Sequence, residues 1–159
     1  MLNRIDHVGI ACRDLEESVA RYCSVFGLTV VSREVNEEQG VREAMLLVAT
    51  ADGDGPVAAP VGGASYIQLL EPLSPDSPVG KFMARRGEGI HHIGYAVTDV
   101  RSALAEVAGT GVRLIDQRPR HGSLGASIAF LHPADLGGVL TELVEPRRAD
   151  HGWPTTAQE

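Results

Sequence analysis

The sequence predicts an α+β fold of two tandem βαβββ modules, whose curved mixed sheets surround a cleft. Three observations predict it. The stretch His7-Val-Gly-Ile-Ala-Cys-Arg-Asp14 matches His92-Ile-Gly-Tyr-Ala-Val-Thr-Asp99. Ile67-Gln-Leu-Leu-Glu-Pro72 matches Thr141-Glu-Leu-Val-Glu-Pro146. In both halves the repeated Asp precedes an amphipathic helical pattern. Self-similarity of this kind marks a repeated structural unit. The two matches are offset by 85 and 74 residues, so the first half carries an 11-residue surplus in its loops. Two open, four-stranded sheets would turn their outer surface to helices and their inner surface to a cleft. The organisation expected is one domain over 1–146, with modules at about 1–75 and 90–146 and a tail at 147–159.

Each element has a local cause. Ile5 to Cys12 is apolar and branched, which reads as a strand. Asp14 can cap a helix over Leu15 to Phe26, with Glu16 and Glu17 suiting the dipole of its first turn. Val19, Tyr22, Cys23 and Phe26 form its apolar stripe, and Gly27 ends it. Leu28 to Val35 and Val41 to Ala49 read as strands joined by a turn at Asn36 to Gly40. Ala51 to Gly63 is rich in Gly, Pro and Ala and reads as an exposed loop. Ala64 to Glu71 is a strand closed by Pro72, and Val79 to Arg86 a short helix. The second half repeats the order: strand Ile90 to Thr98, a helix from Asp99 to Ala108, then strands at Val112 to Asp116, Ser127 to Leu131 and Val139 to Glu145.

Bulk properties narrow the function. The 14 Lys and Arg against 21 Asp and Glu give a net charge of -7, without the basic footprint a nucleic acid needs. Arg85, Arg86, Arg118, Arg120, Arg147 and Arg148 are local anion contacts at most, and a solvated surface is the simpler reading of each. No apolar run approaches a membrane span and no secretory segment precedes residue 10, so a cytoplasmic protein is expected. Cys12 and Cys23 then read as reduced packing residues.

The repeat sets four polar groups at equivalent strand positions: His7 with His92, and Gln68 with Glu142. His7, Gly9 and Ala11 share one strand face, and the small residues leave space beside the imidazole. His92, Gly94 and Ala96 repeat that arrangement. Buried polar groups of this kind need partners. Two imidazoles, an amide oxygen and a carboxylate satisfy one another around a divalent ion, and suit cobalt, nickel, manganese, iron or zinc better than calcium. Glu43 is the next candidate. It shares a strand face with Met45 and Leu47, where a carboxylate gains proton affinity and suits proton transfer. His91 alternates to the face opposite His92 and reads as a supporting or packing residue. His121, His132 and His151 read as surface or turn residues. Gly122-Ser-Leu-Gly125 is a turn whose backbone N–H groups could meet an anion, and no nucleotide fingerprint occurs.

At these residues the chain resembles the vicinal oxygen chelate superfamily, and within it the methylmalonyl-CoA epimerase family. The resemblance lies in Ile5-Asp-His-Val-Gly-Ile-Ala-Cys12, Asn36-Glu-Glu-Gln-Gly-Val-Arg-Glu-Ala-Met45, Tyr66 to Pro72, Gly87-Glu-Gly-Ile-His-His92 and Phe130 to Glu142. It implies His7, Gln68, His92 and Glu142 as metal ligands, with cobalt the preferred ion. It implies Glu43 and Glu142 as the two proton-transfer groups that interconvert (2R)- and (2S)-methylmalonyl-CoA through a metal-stabilised enolate. It also implies a homodimer. The alternatives are an epimerase of another 2-carboxyacyl-CoA such as ethylmalonyl-CoA, a different metal enzyme of this superfamily, or a ligand-binding protein on the same scaffold.

Overall fold

Asp14 caps the first helix as its position predicts, its side chain accepting from the Glu17 N–H. Asp99 does the same for Ser102 in the second half. The computed structural model describes residues 1–48 and 64–147. The elements in order are β1 (Leu2–Ala11), α1 (Leu15–Phe26), β2 (Thr29–Asn36), β3 (Val41–Leu47), β4 (Tyr66–Pro72), α2 (Pro78–Arg86), β5 (Gly89–Val97), α3 (Val100–Ala108), β6 (Arg120–His121), β7 (Ser127–Leu131) and β8 (Thr141–Glu145). The loop expected at Ala51 to Gly63 and almost all of the tail lie outside the described residues.

All eight strands join one mixed sheet in the order β2-β3-β4-β1-β5-β8-β7-β6. β1 pairs parallel with β4, and β5 parallel with β8. The two halves meet along the antiparallel β1–β5 pair. Strand alternation then sorts side chains by face. On one face α1 covers Ala44, Leu46 and Leu69 through Leu15 and Val19. On the same face of the other half α3 covers Ala129, Leu131 and Leu143 through Val100, Ala103, Leu104 and Val107. The opposite face carries Gln68, Glu43, Glu142 and both ligand-candidate histidines, all buried. There α2 closes one end, packing Val79, Phe82 and Met83 on Ala11, Val41 and Leu70. The sheet curls until its outer strands approach: the Leu124 N–H donates to Glu34 Oε1 at 3.2 Å, and Arg120 lies 3.6 Å from Glu38.

One expected strand is displaced. Between Val112 and Asp116 only Leu114 pairs, as a single bridge to Leu131, and the strand position falls to Arg120–His121 beside β7. The N–H groups of Ile115 and Asp116 both converge on the Phe130 carbonyl, at 2.9 and 3.2 Å, so a regular ladder cannot continue there. β8 also starts at Thr141 rather than Val139, because the Val139 N–H turns back to the Leu136 carbonyl. Both cysteines are free thiols. Among the described residues no helix is long and apolar enough to cross a membrane.

Candidate metal centre and its proton-transfer groups

Two rows of residues cross the centre of the sheet. One runs Gln68–Gly9–His92 over β4, β1 and β5. The other runs Glu142–Gly94–His7 over β8, β5 and β1. Each row holds an oxygen donor, a glycine and an imidazole. The glycines are occupied reciprocally. A Cβ on Gly9 would stand 2.2 Å from Cε1 of His92, and one on Gly94 would stand 2.4 Å from Cε1 of His7. Each histidine therefore lies flat across the space that the opposite strand's glycine leaves, which brings both Nε2 atoms to the centre.

The result is a tight cluster. His7 Nε2 is 3.0 Å from His92 Nε2 and 2.9 Å from Glu142 Oε2, and His92 Nε2 is 3.6 Å from the same oxygen. His7, His92 and Glu142 are each no more than 4% exposed. Gln68 Nε2 is used up, donating to Glu43 Oε2 at 2.8 Å and to Ser123 Oγ at 2.9 Å. Its Oε1 is buried without a hydrogen-bond partner. A buried amide oxygen left alone is costly, and an ion is the partner that would remove the cost. The donor set fits a divalent ion. Ligand bonds of about 2.1 Å at right angles put neighbouring donors roughly 3.0 Å apart, which is the separation His7, His92 and Glu142 already have about His7 Nε2.

The residue before each histidine holds its ring. β1 and β5 slip register between Ile5 and His7 and between Gly9 and Ile10, leaving Asp6 and His91 as the extra residues of two bulges. A bulge re-aims a side chain. Asp6 Oδ1 takes His7 Nδ1 at 3.1 Å, and Arg4 holds the other Asp6 oxygen at 2.8 Å. His91 Nδ1 meets His92 Nδ1 at 2.9 Å while its ring packs edge-on against Phe82. Both contacts free Nε2 for an ion and fix ring orientation. The expected alternation of His91 to the opposite face is overridden by this bulge.

Charge follows from the packing. Burial works against a proton on His7, but the hydrogen bonds and charges of Asp6 and Glu142 outweigh it and raise its pKa to about 9. Burial would raise Glu142, yet His7 and His92 pull it down to about 2. Burial lowers His92 despite Glu142, and lowers His91 to about 4. An ion that takes His7 Nε2 must displace the proton held there below about pH 9. Apparent metal affinity should therefore rise about tenfold per pH unit from 7 towards 9 and then level off. Titration of Co²⁺ at three pH values checks this, and a flat profile would show that no proton leaves.

Glu43 stands apart from the cluster on β3, 2% exposed. Burial, reinforced by the charges of Glu34 and Glu142 and opposed by the Ser123 hydrogen bond, raises its pKa to about 6. Ser123 Oγ donates to Glu43 Oε1 at 2.5 Å. The Gly122–Gly125 turn, whose N–H groups could meet an anion, donates to two carboxylates of the protein, Glu43 through Ser123 and Glu34 through the Leu124 N–H. Leu124 has φ 56° to achieve it. Sequence patterning missed Ser123, since only a glycine on each side of its turn marks it. His121 is exposed and His132 caps its own turn, both as expected, while His151 and Arg148 lie outside the described residues. Arg120 is tied to Asp116 at 3.3 Å and lies over Phe130.

This fold and cluster define a metal-binding member of a known class. Residues 6–130 match the Glyoxalase/Bleomycin resistance protein/Dioxygenase superfamily, and the chain belongs to it. Within it, the chain is similar to a solved variant of methylmalonyl-CoA epimerase from Streptomyces coelicolor in complex with 2-nitronate-propionyl-CoA. The identity is 50% with a TM-score of 0.84, covering 93% of this chain and 100% of that one. It is 34% identical to the mitochondrial methylmalonyl-CoA epimerase of Dictyostelium discoideum, over 91% of this chain and 79% of that protein. It is 32% identical to the ethylmalonyl-CoA/methylmalonyl-CoA epimerase of Cereibacter sphaeroides, over 90% of this chain and 98% of that protein.

Proposed function

We propose that this protein is a divalent-metal-dependent epimerase of methylmalonyl-CoA, acting by proton transfer between two carboxylates. The observation that carries the reading is a pair of buried carboxylates on one face of the sheet, Glu142 of β8 within the His7–His92 cluster and Glu43 of β3 held by Gln68 and Ser123. Three strands separate those two in the sheet, so they reach a bound molecule from different walls. His7, Gln68, His92 and Glu142 would hold the ion. When bound, it supplies positive charge to the thioester and carboxylate oxygens as the α-proton leaves.

The chain's own groups do the proton work. At neutral pH Glu43 is ionised, yet its affinity for a proton exceeds that of a free carboxylate, which suits a general base. Ser123 and Gln68 grip one oxygen each and fix its direction. Glu142 serves the other face of the α-carbon as well as the ion. Inversion needs both faces, because a single base returns the proton to the side it came from. The buried wall of Ile128, Phe130 and Val144 keeps bulk water away from the exchanging proton.

The reading takes residues 1–146 as one domain of two modules. It extends to cobalt as the preferred ion, a homodimer in solution and a cytoplasmic site of action. Deuterium wash-in at the α-carbon of methylmalonyl-CoA, with and without added Co²⁺, Mn²⁺, Ni²⁺ or Zn²⁺, tests it. Metal-stimulated exchange with loss of optical purity is expected. No exchange in the metal-loaded protein would remove the epimerase reading. Ethylmalonyl-CoA belongs in the same assay, given the relative named for both substrates.

A further inference from the structure

Ser123 and Leu124 are consecutive, and each donates to a carboxylate of the first half. Ser123 Oγ holds Glu43 Oε1 on β3, and the Leu124 N–H holds Glu34 Oε1 on β2 at 3.2 Å. Glu34 and Glu43 are register partners across the β2–β3 pair, so their side chains leave the same face of the sheet side by side. Like charges in that position repel. Leu124 carries a second cost. Its φ of 56° is left-handed, and it is the only non-glycine residue so placed among the described residues. A leucine gains nothing from that conformation by itself. It is kept where the Leu124 N–H meets Glu34.

Glu34 is suited to the part. It is half-buried and has no ion-pair partner among the described residues. Its neighbour Arg33 turns away, to Glu16 on α1 at 2.7 Å. Ser32 Oγ donates to Glu34 Oε1 at 2.6 Å. One oxygen is thus held from its own strand and itself holds the turn of the other half. The Arg120–Glu38 ion pair crosses the same seam, but at 3.6 Å and open to solvent it contributes little.

We propose that Glu34 is a positioning residue: it anchors the Ser123–Leu124 turn, and through that turn it keeps Ser123 against Glu43. The assignment rests on the epimerase reading, in which Glu43 is a base, and adds what holds that base's own partner in place. Glu34 makes no hydrogen bond or ion pair with His7, His92 or Glu142, so its effect runs through the turn. Without it Leu124 relaxes from its left-handed conformation and the Ser123 hydroxyl leaves Glu43. Glu43 then keeps Gln68 alone and swings about that single contact. Misplacement of a catalytic group on the ångström scale costs up to about 10²-fold in rate.

The test uses metal-loaded full-length protein. The Zn²⁺-loaded form gives the exchange rate of the Leu124 amide by NMR, and the Co²⁺-loaded form gives epimerisation kinetics. Glu34→Ala removes the acceptor, Glu34→Gln keeps an oxygen of the same reach, and Glu38→Ala removes a neighbouring charge at the seam. Glu34→Ala should speed Leu124 amide exchange at least about tenfold, as loss of a hydrogen bond to a charged group does. It should lower kcat about 10- to 100-fold. KM should stay within about twofold, because no substrate contact is removed. Glu34→Gln should bring both amide exchange and kcat back to within about threefold of the wild type, since the acceptor is kept. Glu38→Ala should change neither. A wild-type amide rate or a wild-type kcat in Glu34→Ala would overturn the assignment. So would equal losses in Glu34→Gln and Glu34→Ala, or in Glu38→Ala, which would make the effect one of charge alone. If the amide results hold but the wild type does not epimerise, the anchor stands and the epimerase reading falls.

Discussion

Replacing Glu43 with Gln is expected to lower epimerisation by about 10²- to 10⁴-fold while leaving metal content unchanged. That loss corresponds to roughly 3 to 5 kcal/mol of transition-state stabilisation. The geometry allows the substitution to be clean. Glu43 makes no contact with the His7–His92–Glu142 cluster by hydrogen bond, and its two partners are Gln68 Nε2 and Ser123 Oγ. An amide of the same size can accept from Gln68 through its oxygen and donate to Ser123 through its nitrogen. The serine hydroxyl, which is only partly buried, then turns its own hydrogen away from position 43 towards solvent. What the amide cannot do is take up the α-proton. Glu142 still serves its own face. The variant should therefore exchange deuterium into one stereoisomer faster than it inverts configuration. Metal analysis, one-face exchange and inversion measured on one preparation separate the outcomes. Near-normal inversion by the metal-loaded variant would remove Glu43 from the chemistry.

The part of this site that the sequence discloses is the part built by repetition. His7 with His92 and Gln68 with Glu142 stand at equivalent places in matching stretches; the structure gathers His7, His92 and Glu142 into one buried cluster and buries Gln68 in the same strand row as His92. Glu43 was legible for another reason, as a lone carboxylate in an apolar strand. The parts that stayed hidden depend on curvature and on register. Ser123 reaches Glu43 from 80 positions away, because the curled sheet swings the second half's turn over the first half's β3. No periodicity within either strand reports that approach. Asp6 and His91 follow from bulges, which shift one strand against another without changing the order of residue types. The β6 position failed for a related reason. Val112 to Asp116 has the apolar content of a strand, but two of its N–H groups share one carbonyl and the ladder passes to Arg120–His121. The spaces beside the histidines were visible as Gly9 and Gly94. Which ring fills each of them depends on the β1–β5 pairing, and the pairing gives each space to the other strand's histidine.

That exchange predicts a loss of metal affinity when Gly9 is replaced by Ala, of at least about 10- to 100-fold, the range typical when a ligand's support is disturbed. The added methyl would sit 2.2 Å from His92 Cε1, 2.5 Å from Nδ1 and 2.7 Å from Nε2. All three lie well inside van der Waals contact, and all belong to the ring, not to a flexible chain end. The ring cannot yield by a small rotation. Its Nδ1 is held by His91, Phe130 packs against it in a T-shaped contact at a centroid distance of 5.5 Å, and it is only 3% exposed. Relief requires His92 to leave the cluster or β1 and β5 to separate. The second course would destroy the central strand pair, so the first is favoured. Gly94→Ala should act on His7 in the same way, through a methyl 2.4 Å from its Cε1. The pair of variants guards against a trivial result. Circular dichroism and thermal unfolding without metal show whether each one folds, and a Co²⁺ titration then reads the site directly. A folded variant with weakened Co²⁺ binding is the expected outcome at both positions. Full Co²⁺ affinity in folded Gly9→Ala would mean that His92 is not held across β1 by the space the glycine leaves.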